Sequence, residues 1–236
     1  MGNASFGQMD LFLYAVFPYV ALIVFLVMTI QRYRQQSFSY SSLSSQFLEN
    51  RQHFWGMVPF HYGILFVLFG HLVAFLIPRS ILWWNAHPAR LYVLEVSALI
   101  GGLLTLVGFV ALLLRRGSHH RLRAVTSPSD WILSALLLLQ IFTGLWVAVF
   151  HGWGSSWFAT AMTPYLRSLV TLNPDIAAVV PMPPMVKTHI IGAFALIAFF
   201  PFTRLVHILV VPNPYLWRRT QVVIWNWDRK KVRAGG

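Results

Sequence analysis

FWGMVPFHYGILFVLFGHLVAFLI, residues Phe54–Ile77, is a run of 24 residues with no Asp, Glu, Lys or Arg, yet it holds two histidines, His61 and His71. A helix crossing about 30 Å of hydrocarbon needs about 20 apolar residues, so this run predicts a transmembrane helix. An imidazole in hydrocarbon is costly, which makes each histidine in such a run a functional hypothesis by default. Similar runs at Leu11–Ile30, Leu91–Leu114, Trp131–Phe150 and Thr188–Val211 predict four more spans. With 57% hydrophobic and 10% charged residues, the chain of 236 residues is too apolar for an ordinary soluble domain. The expectation is an all-α membrane protein, one unit over residues 1–236 built on five transmembrane helices.

Five spans put the two termini on opposite sides of the bilayer. Arg32, Arg34, Arg51, Arg115, Arg116, Arg121, Arg123, Arg204, Arg218, Arg219, Arg229, Lys230, Lys231 and Arg233 fall on one side, and only Arg79, Arg90, Arg167 and Lys187 on the other. The positive-inside rule then predicts an outer N-terminus and a cytoplasmic C-terminus. Because these charges lie between apolar runs, the net charge of +12 forms no patch for nucleic acid. Trp83, Trp84, Trp153, Trp157, Trp225 and Trp227 cluster at span ends, as an interfacial aromatic belt does. The N-terminus lacks a signal-cleavage pattern, so the first apolar run reads as a retained anchor. The proline-rich stretch Gly152–Lys187 reads as an ordered external loop, with room for a short interfacial helix, rather than another span. The basic, aromatic tail of about 212–236 reads as a surface for lipid headgroups or for a partner subunit.

Cysteine is absent, which excludes disulfides, covalent c-type haem attachment and cysteine-held iron–sulfur clusters. Histidine or methionine must therefore carry any cofactor. Four of the nine histidines lie in spans: His61 and His71 on the second, His189 and His207 on the fifth. These two spans run in opposite directions, so His61 pairs in depth with His207 near the cytoplasmic side, and His71 with His189 near the outer side. At 1.5 Å per residue the two levels stand roughly 21 Å apart, room for two stacked haems. The 18 residues from His189 to His207 are five helical turns of a continuous helix, which predicts that both project from one face. Gly63 and Gly70, seven residues apart, leave room for a flat ring or a neighbouring helix. Two histidines per iron fill both axial positions, so the implied chemistry is outer-sphere electron transfer. His119 and His120 sit in a basic loop, and His53, His87 and His151 at interfaces, where an imidazole needs no role.

Three segments carry a family resemblance: FHYGILFVLFGH (Phe60–His71), LRAVTSPSDWILSALLLLQIFTGL (Leu122–Leu145) and FPFTRLVHILVVPNPYLWRR (Phe200–Arg219), with FPYVA at Phe17 a lesser match. The chain resembles the gamma, or cytochrome b, subunit of membrane-bound respiratory nitrate reductases. That resemblance implies an anchor in a prokaryotic cytoplasmic membrane for an iron–sulfur subunit and a molybdenum catalytic subunit. It also implies two b-type haems, the inner on His61 and His207 and the outer on His71 and His189. Quinol oxidation near the outer haem is implied too, with Arg90 standing where the family carries a lysine. Arg keeps its charge and donates through a planar fork, whereas Lys is a mobile point donor, so the substitution changes the chemistry at that place. Arg204, one turn before His207, is assigned to a haem propionate or to the cytoplasmic end of its helix. Two other uses stay open: a related haem b subunit serving a sulfite reductase or nitrite oxidoreductase, and a haem-free transporter or scaffold whose histidines line a polar path.

Overall fold

A computed structural model describes residues 7–40 and 51–210. The tail of about 212–236, with Trp225 and Trp227, lies outside the described residues. No strand occurs among the described residues, and five helices are long and apolar enough to cross a membrane: Gln8–Gln36, Phe54–Leu76, Pro88–Ser118, Pro128–Phe150 and Pro184–Phe202. The second begins three residues earlier, at Arg51. Only 11–28% of the most apolar window of each span is buried in the protein, so lipid must cover the remainder.

The second span packs on the third, the third on the fourth, the fourth on the fifth and the fifth on the first. The second and fifth are not among the helix pairs in extended contact. The bundle is thus a horseshoe that runs from the second span through the third, fourth and fifth to the first, and its two histidine-bearing helices meet across the interior at His71 and His189.

Small residues set the closest seam. A Cβ on Gly63 would stand 2.6 Å from the Gly101 carbonyl oxygen and 2.5 Å from Thr105 Oγ1. A Cβ on Gly108 would collide with the Phe60 nitrogen and stand 2.7 Å from the Gly56 carbonyl oxygen. Gly56 and Gly63 on one helix therefore oppose Gly108 and Gly101 on its antiparallel neighbour, the small-residue contact that lets membrane helices approach. The room at Gly63 is taken by the third span, not by a flat ring. Gly70, next in that seven-residue series, has open space around it. The seam closes at Gly56 and Gly63 and opens beside His71.

Besides Pro59 inside the second helix, Pro18 and Pro201 break the backbone ladder, and at these two tertiary contacts repair it. Pro18 lacks an N–H and crowds the carbonyl four residues back, that of Tyr14. The first helix widens into a π-turn over Phe12–Val16, and the freed Tyr14 carbonyl accepts from Tyr165 Oη at 2.8 Å. Burial, with Tyr14 and Tyr19 nearby, pushes the Tyr165 phenol above its ordinary range, which keeps it a donor. Tyr165 belongs to the external stretch in which a short interfacial helix is expected, and which is helical over Gly154–Trp157, Phe158–Met162 and Thr163–Val170. This stretch also caps the second span. Thr163 Oγ1 donates to the Ala74 carbonyl, and Arg167 donates to those of Phe75 and Leu76, the acceptors a helix end leaves without internal partners.

The fifth span departs most from expectation. Instead of one helix over Thr188–Val211, an α-helix spans Pro184–Phe199, a 3-10 turn Phe200–Phe202, and a second 3-10 helix Arg204–Val210, with Thr203 extended between them. Pro201 is the cause, since it cannot continue the ladder. Thr203 Oγ1 accepts from the Leu205 N–H and so starts the second piece. Arg32 of the first span donates to the carbonyls of Pro201 and Thr203. The prediction that His189 and His207 share one face of a continuous helix is therefore corrected: they lie on two pieces separated by a break.

Replacing Gly108 with Ala forces a methyl against main-chain atoms of the second span and is expected to destabilise the bundle by about 1–3 kcal/mol. Gly117→Ala, with nothing near its Cβ position, is expected to be neutral or stabilising by up to about 1 kcal/mol. Denaturation of the detergent-solubilised protein checks both, and equal effects would refute the seam.

Candidate functional site in the horseshoe gap

Three of the four candidate histidines are oriented by their own helical segments, His207 on the piece beyond the fifth span. His61 Nδ1 lies 2.9 Å from the Met57 carbonyl oxygen, His71 Nδ1 2.8 Å from that of Val67, and His207 Nδ1 2.6 Å from that of Arg204. A carbonyl can only accept, so each Nδ1 carries the proton and each Nε2 keeps its lone pair. This is the tautomer a metal-ligating histidine adopts when its second nitrogen is anchored.

His189 reaches the same state through the fourth span. Its Nδ1 lies 3.0 Å from Thr143 Oγ1, whose own proton goes to the Leu139 carbonyl at 2.8 Å, so the hydroxyl accepts from the ring. Gln140 Nε2 lies 3.2 Å from His189 Nε2 and 3.1 Å from the His189 carbonyl oxygen. Donation to that carbonyl sets which way the amide points, and the same group meets the Nε2 lone pair. Gly144 lets the ring lie against the fourth helix, since a Cβ there would stand 2.9 Å from His189 Cε1. Gly192 makes room for Gln140, whose Oε1 is buried without a partner. Sequence reasoning missed Gln140, Thr143 and Gly144. Their signal was two polar residues and a glycine at i, i+3 and i+4 inside an apolar run.

His71 and His189 meet across the gap. Their ring centres stand 6.5 Å apart with an angle of 34° between planes. Two imidazoles on opposite sides of one iron, each bonded at about 2 Å with its ring centre about 1 Å beyond, stand roughly 6 Å apart. The donor set, its tautomers and its separation thus fit an axial pair. Phe158, from the capping helical stretch, lies edge-on to His71 with ring centres 5.3 Å apart. Ring contacts at the other end place His61 against Phe60, not against His207. Among the described residues no three of His, Cys, Asp or Glu gather as a metal cage; a haem iron asks only two ligands of the protein.

Arg204 closes a two-point pair with Asp130, Nε to Oδ1 at 2.7 Å and Nη2 to Oδ2 at 2.8 Å, and also donates to the Val125 carbonyl. Asp130 belongs to the capping box that starts the fourth span on Ser127. Arg204 therefore ties the His207 segment to the fourth helix. Arg90, at the start of the third span, lies over the Trp83 ring at 4.7 Å and donates to the Trp83 carbonyl. Its Nε is buried without a hydrogen-bond partner. Glu95, one and a half turns further on, accepts from the Ser155 N–H and Oγ and so holds the capping stretch at this end; its signal in the sequence was a carboxylate inside the Leu91–Leu114 run.

The profile of the family described as "Nitrate reductase gamma subunit" matches residues 10–226. The nitrate reductase gamma chain of Bacillus subtilis is 32% identical over 210 residues, covering 87% of this chain and 94% of its own. The respiratory nitrate reductase 2 gamma chain of Escherichia coli is 32% identical over 224 residues, covering 91% and 96%. With five apolar helices in a fold that such a match spans almost end to end, the chain belongs to the nitrate reductase gamma subunit family.

Proposed function

We propose that this chain is the membrane anchor and dihaem b subunit of a respiratory nitrate reductase. In this reading it takes electrons from quinol near the outer face and delivers them to an iron–sulfur subunit and a molybdenum subunit in the cytoplasm. The observation that carries the reading is the His71 and His189 pair, 6.5 Å between ring centres with both Nδ1 atoms anchored as donors. His71 and His189 hold the outer haem, and His61 and His207 the inner one. A bound b-type haem with both axial positions filled supplies outer-sphere electron transfer and no site for oxygen or substrate.

The chain's own groups orient these ligands. Anchored Nδ1–H groups keep all four rings in one tautomer, and the second and third spans are held together by glycine contacts that leave the gap open. Oxidation of one quinol yields a quinone, two electrons and two protons. Arg90 serves the quinol site, where its buried Nε offers an unused donor to a quinone oxygen and the tryptophans hold its fork in place. The excess of Arg at the opposite end puts that end in the cytoplasm, next to the partner subunits. Nitrate chemistry belongs to those partners.

Pyridine haemochrome analysis of the purified complex is expected to give two non-covalent b-type haems for each copy of this chain. His71→Ala and His189→Ala each remove the same one haem; His61→Ala and His207→Ala each remove the other. Loss of one and the same haem in the His61 and His71 variants overturns the pairing, and no haem in the unaltered chain overturns the reading.

In native membranes, haems reduced by quinol are expected to reoxidise on addition of nitrate, and an inhibitor at the quinol site blocks reduction while leaving that reoxidation intact. Haems that stay reduced with nitrate and an intact complex present would assign the chain to another reductase.

A further inference from the structure

The four histidines differ in one respect. His61, His71 and His207 give their Nδ1 proton to a main-chain carbonyl of their own helix, whereas His189 gives it to the Thr143 side chain of a neighbouring helix. The grip of the fourth span on His189 has three parts: the Thr143 hydroxyl at Nδ1, the Gln140 amide at the His189 carbonyl oxygen and the bare face of Gly144 against Cε1. Gln140, Thr143 and Gly144 occupy successive places on one face, at i, i+3 and i+4.

The acceptor at Nδ1 matters chemically. The more strongly an acceptor draws on the Nδ1 proton, the more negative charge gathers on the ring and the better Nε2 donates to a metal. Stronger donation favours the oxidised metal and lowers the reduction potential. A carbonyl draws on that proton by a polar C=O bond, while a hydroxyl that already shares its own proton with Leu139 is a neutral acceptor of side-chain strength.

We propose that Thr143 is a positioning residue for the outer haem: its hydroxyl fixes the tautomer of His189 and sets the donor strength of that ligand, and thereby the potential of the haem held by His71 and His189. The inference rests on the haem reading above. It adds that the potentials of the two haems are adjustable separately, because only the outer pair has an Nδ1 acceptor that a side-chain substitution can remove.

Potentiometric titration of the assembled complex in membranes tests it, with Thr143→Val and Thr143→Ser compared. Valine keeps the shape and removes the acceptor. The one-electron equilibrium of the outer haem is then expected to move at least threefold toward the reduced form, about 28 mV at 59 mV per tenfold, while the inner haem stays unchanged. Serine keeps the hydroxyl and leaves both potentials in place. An outer potential unmoved in Thr143→Val, or moved equally in both variants, overturns the proposal. If Thr143→Val loses the outer haem, the serine variant decides: retention with unaltered potential and low-spin spectrum supports the hydroxyl, and loss there too overturns it. Failure of the haem reading would look different, since no haem would then depend on His71 or His189.

Discussion

In hydrocarbon every backbone N–H and C=O must find a partner inside the protein, because no water is there to supply one. This constraint organises the fold around its prolines. Pro18 frees the Tyr14 carbonyl, and Tyr165 from the capping stretch takes it up. Pro201 ends the helix begun at Pro184, and Arg32 from the first span reaches the carbonyls of Pro201 and Thr203. At the end of the second span, Thr163 and Arg167 complete the last carbonyls. Each repair joins elements distant in sequence, so defects in local hydrogen bonding become the ties of the tertiary structure.

These ties also position the gap. The glycine seam fastens the second span to the third, Arg204 and Asp130 fasten the His207 segment to the fourth, and the capping stretch bridges the first and second spans. The second and fifth helices are thereby held opposite each other without packing directly. A bundle that buried these faces against each other would leave no space for a macrocycle. The opening of the seam at Gly70, beside His71, shows the same separation at single-residue scale.

Imidazole orientation follows a similar economy. A histidine in a helix can bond the carbonyl one turn back, and three of the four do so, which makes their tautomer a local property. His189 is held instead by groups 46 and 49 residues away in sequence. One imidazole is thus governed by helix–helix packing, and the family membership of the chain does not depend on that detail.

The amino-acid sequence by itself determined the all-helical class, the five spans and the histidines His61, His71 and His189 within them, because apolar length and the cost of a polar side chain in lipid are properties of single segments, whereas His207 lies beyond the fifth span, which ends at Phe202. Pro201 was visible in the fifth run, yet a hydropathy window does not register the break it makes. Whether a glycine met a ring or a helix, as at Gly63, depended on how two helices turn about their axes. The same holds for Gln140, Thr143 and Gly144 around His189, for Arg32 at the Pro201 break and for the pairing of Arg204 with Asp130. Only the tertiary structure decided these, because each is a contact between residues that the chain separates and packing brings together.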